Sequence, residues 1–208
     1  VLNGSGRDVE DFVSAALEYR GAAVNSGEKR AYWDLIEETD RVFRVFDGFD
    51  EEIQGFAKEN IGEMTNGMKA ICSESSNGVR IRDRDGFEQY CFIVAGTVGN
   101  MLTDFFVYEG DYDSETEESL RRYAEDFGEG LQTINILKDV RQDYNDENAI
   151  FLPETVLQDN GSSQKELEMF FEGERDIEPD LFEDAMEEMV YRSQEKLEKA
   201  ESYLQSIP

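Results

Sequence analysis

Asp139 and Asp143 stand four residues apart in the segment 128–143, GEGLQTINILKDVRQD. On a helix that spacing projects both carboxylates from one face, about one turn apart. Gln132 and Asn135 precede Asp139 by seven and four residues, so a row of oxygen and amide groups runs along the same face. Magnesium is a hard ion that takes a few carboxylates and fills its remaining positions with water and phosphate oxygens, so two acids on one turn suit it without any histidine. A bound cation would also let an acidic protein hold an anionic group such as a diphosphate. Spacing alone is equally compatible with a solvated face, because acidic pairs recur by chance in a chain this acidic.

The 208 residues carry 49 Asp+Glu against 20 Lys+Arg, a formal charge of −29, and contain no histidine. A Ser-His-Asp triad, a Cys-His pair, a His-ligated zinc and a histidine pH switch are therefore excluded. Binding to nucleic acid is disfavoured, since so acidic a surface repels the phosphate backbone. The acids are spread from Glu10 to Glu201 rather than gathered in a tail, and seven of the 20 basic residues are lysines. This dispersal fits a folded protein adapted to molar salt, where charge is strongly screened. Cys72 and Cys91 lack metal-ligand spacing and read as reduced thiols of a cytoplasmic protein. No uninterrupted run of about 18 apolar residues and no signal-peptide pattern occurs, so the sequence predicts no membrane span.

The elements that must position the acidic row read as helices throughout. Apolar residues recur at helical spacing over 7–19, 32–46 (with a restart at Thr39 and Asp40), 49–71, 87–108, 115–144, 165–171 and 179–204. Residues 73–85 read as a polar loop, and Pro153 closes an irregular connection containing Ile150, Phe151 and Leu152. Gly96 and Gly99 in the most apolar helix predict close approach by another helix. No repeat or strand-period segment competes, so residues 1–208 read as a single all-α domain.

The neighbouring sequence adds a resemblance. Residues 131–153, LQTINILKDVRQDYNDENAIFLP, resemble the second Asp-rich motif of the squalene and phytoene synthases and its following aromatic-x-Pro segment. Residues 90–99, YCFIVAGTVG, resemble the signature helix of the same family, and Glu63 to Met68, EMTNGM, a third element before it. Order and spacing agree over about 32–157. The resemblance implies an all-α isoprenoid synthase helical bundle around a central cavity. It implies head-to-head condensation of two prenyl diphosphates through a cyclopropylcarbinyl diphosphate. By the same resemblance, Asp139 and Asp143 bind Mg2+ and through it diphosphate, Gln132 and Asn135 shape that site, and Lys138 adds a cation. Tyr90 matches the tyrosine that assists proton removal or steers the carbocation, and Val94, Ala95, Gly96, Val98 and Met101 match the wall of the prenyl channel. Such a wall suits a carbocation, which needs an apolar, water-poor cavity with aromatic faces; each of these residues also suits ordinary core packing.

Two departures qualify the resemblance. The family's first D-x-x-x-D helix has no counterpart: Asp8-Val9-Glu10-Asp11 lacks the second acid and lies too near the Met64 element, so it reads as a surface segment. The chain is accordingly expected to be the C-terminal portion of a longer, haloarchaeal member, lacking the opening helices and inactive alone. At Asn148 to Ile150 family members commonly carry an arginine. Squalene synthase, which also requires NADPH, is favoured over phytoene synthase acting on geranylgeranyl diphosphate. A non-catalytic relative and an unrelated acidic helical module stay open. A greasy hydrocarbon product is compatible with peripheral membrane association, and the sequence does not fix an oligomeric state.

Overall fold

The computed structural model describes residues 34–75, 78–174 and 176–207. The expected helix over 7–19 and the acidic segment at Asp8 lie outside the described residues. The chain divides into two compact units, one ending at Glu59 and one beginning at Asn60.

In the first unit, residues 34–37 are helical, Glu38 turns, and helix α1 (Thr39–Phe46) begins at the expected restart. Thr39 is buried and its hydroxyl donates to the Ile36 carbonyl at 2.6 Å. The rings of Phe43, Phe46 and Phe49 meet edge to face at 6.5 and 6.4 Å, and the Lys58 ammonium lies 5.5 Å from the Phe46 centroid. Helix α2 (Glu51–Glu74) carries the chain into the second unit.

Helix α3 (Arg84–Cys91) starts where the Asp83 carboxylate accepts from the Gly86 N–H at 2.9 Å, a side-chain N-cap. It runs through a π-helical segment (Phe92–Gly96) into α4 (Thr97–Glu109), so the predicted helix over 87–108 is one helical rod with a wide turn in it. By length and composition, Arg84–Glu109 is apolar enough to cross a membrane, which no uninterrupted apolar run in the sequence had suggested. A core helix passes the same test, and Phe87, Tyr90, Cys91, Ile93, Thr97, Gly99 and Thr103 of this one are buried against protein.

Helix α5 (Ser114–Glu147) is the spine of the second unit. A Cβ on Gly99 would overlap the Ala124 carbonyl, and one on Gly128 would overlap the Ala95 carbonyl, so α4 and α5 touch backbone to backbone. Only glycine permits this approach. Gly96 faces the Phe92 ring of its own helix, and its backbone nitrogen would lie 3.1 Å from a Cβ on Gly128. After α6 (Glu154–Asp159), α7 (Gln164–Phe171) and a 3-10 turn (Pro179–Phe182), helix α8 (Glu183–Ser206) returns along α5. The pairs Ser119–Ser206 (2.9 Å), Asp126–Lys199 (3.3 Å) and Glu129–Lys196 (2.7 Å) fix the two as antiparallel, one sequence number rising as the other falls.

The main core gathers Phe87, Tyr90 and Cys91 of α3, Ile136 of α5, the 149–152 connection, Val156 and Leu157 of α6, Leu167 of α7, and Ala185 and Met189 of α8. An isolated parallel bridge joins Arg80 with Ile150. It lies in the segment 73–85 that the sequence reads as a loop. The fold is all-α, as expected.

Candidate functional site

The acidic row lies on the C-terminal half of α5. Asp139 and Asp143 are both partly exposed, Gln132 is half-buried, and Asn135 and Lys138 are exposed. Lys138 Nζ sits 3.2 Å from Asp139 Oδ2, so its ammonium already neighbours the acid it was expected to assist. The Asp143 carboxyl is pushed up to about 6, by burial first and then by the Glu147, Asp139 and Asp146 carboxylates. A cation brought to this face would relieve that repulsion.

Tyr90 faces the same place from another helix. It is buried, its ring stacks on Phe151 at 4.4 Å and 19°, and burial followed by neighbouring groups, Glu147 and Asp143 among them, raises its hydroxyl well above the ordinary phenol range. Tyr90 thus lies within electrostatic reach of Asp143 although 53 positions separate them in sequence. Of the five expected channel residues, Gly96 is buried, while Val94, Ala95, Val98 and Met101 are half-buried. The Ala95 carbonyl lies against Gly128, and Val94 packs on the main core.

Two residues of this site were not singled out from the sequence. Glu147 continues the four-residue spacing beyond Asp143, a signal that was available. Phe151 belongs to the aromatic-x-Pro segment, but its partner ring is set only by folding. Among the described residues no cluster of three or more His, Cys, Asp or Glu side chains has the arrangement of a metal cage. The donors present still fit magnesium, which is usually held by one or two carboxylates with water and substrate oxygens completing the shell.

On α3 next to Tyr90, Cys91 lines a cavity of about 100 Å³ with Phe87, Glu129, Thr133 and Lys196. Burial pushes the Cys91 thiol up to about 12, against a lowering contribution from the Thr133 hydroxyl. Such a thiol stays protonated and unreactive at neutral pH.

The model of the squalene/phytoene synthase family matches residues 7–208, nearly the whole sequence. The chain belongs to this family. A squalene synthase of Schizosaccharomyces pombe is 28% identical over 200 residues, covering 92% of the chain and 43% of the relative. The squalene synthase clz20 of Cochliobolus lunatus is 34% identical over 150 residues, 71% of the chain and 35% of the relative. Among solved structures, TcSQS in complex with the ligand BPH1237 superposes with a TM-score of 0.70 at 22% identity, over 89% of this chain and 50% of that one. That likeness establishes the shared all-α fold. The chain spans less than half the length of the two curated relatives.

Proposed function

We propose that this chain provides the second carboxylate helix and the tyrosine wall of a head-to-head prenyltransferase that condenses two prenyl diphosphates, of the squalene synthase type. The observation that supports this best is that Tyr90 of α3, stacked on Phe151, lies within electrostatic reach of Asp143 and Glu147 of α5. Family membership and the squalene synthases among the relatives support the choice of chemistry.

In this reading Asp139 and Asp143 hold Mg2+, which when bound neutralises the leaving diphosphate. Asn135 and Gln132, on the same face, orient diphosphate oxygens and water. Lys138 supplies a second cation at the mouth of the site. The raised Tyr90 hydroxyl remains protonated across neutral pH, so it serves as a neutral hydrogen-bond partner held rigid by Phe151. Its ring, with Val94, Ala95, Gly96, Val98 and Met101, offers a dry wall to a prenyl cation. NADPH is the reductant of a squalene synthase, and its site is not assigned to residues of this chain.

The test is product formation by the protein that carries this chain. Farnesyl diphosphate, Mg2+ and NADPH are expected to give a C30 hydrocarbon, and Asp139→Asn to lower the rate by about 100-fold or more, the loss typical of removing transition-state charge stabilisation. A C40 product from geranylgeranyl diphosphate would reassign the enzyme as a phytoene synthase. Unchanged turnover in Asp139→Asn would remove the metal role.

A further inference from the structure

The segment Gly78 to Ile81 straps the end of the carboxylate helix. Ile150 N–H donates to the Val79 carbonyl at 2.9 Å and Ile81 N–H to the Ile150 carbonyl at 3.2 Å, forming the parallel bridge. Gly78, at φ 88°, brings its backbone so near Asn148 that a Cβ there would overlap the Asn148 carbonyl oxygen. Asn148 itself is left-handed, at φ 52°, and ends α5. From this strap Arg80 reaches across to Asn148 and Glu168. Its Nη1 donates to the Asn148 carbonyl, its Nη2 to Asn148 Oδ1 at 2.9 Å, and its Nε to Glu168 Oε1 of α7 at 2.9 Å. The guanidinium carbon also lies 5.9 Å from the Tyr144 ring centroid.

The consequence reaches the acids through the backbone. Next to Asn148, the Ala149 N–H donates to the Asp143 carbonyl at 3.1 Å, and two residues further on Phe151 stacks on Tyr90. Whatever sets Asn148 therefore sets the turn bearing Asp143 and Glu147 on one side and the tyrosine's support on the other. The guanidinium is suited to this, since its planar fork engages two oxygens in fixed geometry where an ammonium would act as a point charge.

We infer that Arg80 is a positioning residue for the carboxylate site: by clamping both oxygens of Asn148 it holds the Asp143 turn in register with Tyr90. The inference rests on the proposed role of Asp139 and Asp143 as metal ligands. Arg80 is not placed in contact with substrate or metal; it acts through Asn148.

The test compares wild type, Arg80→Lys, Glu168→Gln and Asp139→Asn in the whole chain at one salt concentration. Mn2+ affinity, followed by the electron paramagnetic resonance signal of the free ion, probes the carboxylates, and hydrogen exchange of the peptides covering 141–151 probes the turn. Arg80→Lys keeps a cation for Glu168 but loses the fork on Asn148. It is expected to weaken Mn2+ binding about 10-fold, as loss of an outer-sphere partner does, and to speed exchange in 141–151 while the Glu115 to Ala124 part of α5 stays unchanged. Glu168→Gln, which leaves the Asn148 fork in place, is expected to bind Mn2+ within about twofold of wild type. Wild-type Mn2+ affinity in Arg80→Lys, with binding lost in Asp139→Asn, would overturn the positioning role alone. Equal affinity in wild type and Asp139→Asn would instead overturn the metal reading; unchanged exchange in Arg80→Lys overturns the clamp in either case.

Discussion

Replacing Asp143 by asparagine should stabilise the metal-free protein at neutral pH. The carboxyl is pushed from 3.8 to about 6, so the folded protein holds this proton more tightly than the unfolded chain does. The sign follows from linkage: the stabilisation conferred by the bound proton is complete below about pH 4 and is lost as the pH rises through about 6. Above that, the ionised carboxylate weighs against the fold because Glu147, Asp139 and Asp146 repel it and its surroundings are partly dry. At 1.36 kcal/mol per pH unit the full difference corresponds to about 3 kcal/mol. The side chain keeps part of its contact with water, and solvent screening reduces the expected effect to about 1 kcal/mol. An asparagine side chain has the same shape and no charge, so the Asp143→Asn variant should gain that amount at pH 7.5 and progressively less towards pH 5. For a chain of this size the gain is about 2–4 °C in Tm. Urea titrations at pH 5, 6, 7 and 8, in EDTA and at one salt concentration, measure it directly. A variant less stable than wild type at pH 7.5, or a difference that does not change between pH 5 and 8, would refute the argument. Adding Mg2+ should raise the wild-type midpoint and leave the variant unmoved.

Three further outcomes follow from the packing around the site. Gly128→Ala drives a methyl group into the Ala95 carbonyl, where backbone cannot yield, and should cost about 2–3 kcal/mol in urea denaturation. Lys196→Met leaves Glu129, buried and already pushed upward by burial, without its 2.7 Å partner; the expected loss is about 3 kcal/mol at pH 7.5, shrinking as acidification protonates Glu129. Ellman's reagent at pH 8 should titrate one thiol in the native protein, the exposed Cys72, and two in urea, because Cys91 is buried and held near 12.

Helical character, the close-approach glycines and the acidic row were legible in the sequence because each depends on residues a few positions apart. The period of apolar residues predicts α4 and α5, and the four-residue step predicts that Asp139 and Asp143 share a face. Gly99 and Gly96 both stand where α5 comes close: a Cβ on Gly99 would overlap the Ala124 carbonyl, and one on Gly128 would lie 3.1 Å from the Gly96 nitrogen. The wide π-helical turn at Phe92–Gly96 left no periodic signature, since one extra residue in one turn is lost among the surrounding apolar side chains.

Other features depended on the tertiary structure because they join residues far apart in the chain. The segment 73–85 carries loop composition, and nothing local marks Arg80 as different from Arg82; Arg80 is half-buried across Asn148 and Glu168, while Arg82 is exposed. Tyr90 was identified by its motif, but its stacking on Phe151 and its electrostatic reach to Asp143 and Glu147 follow from how α3 lies against the end of α5. The sequence by itself determined which groups can bind a hard cation, through residue type and helical spacing. The tertiary structure decided what they face and how firmly they are held, because burial and long-range hydrogen bonds fix the protonation and the geometry of those groups.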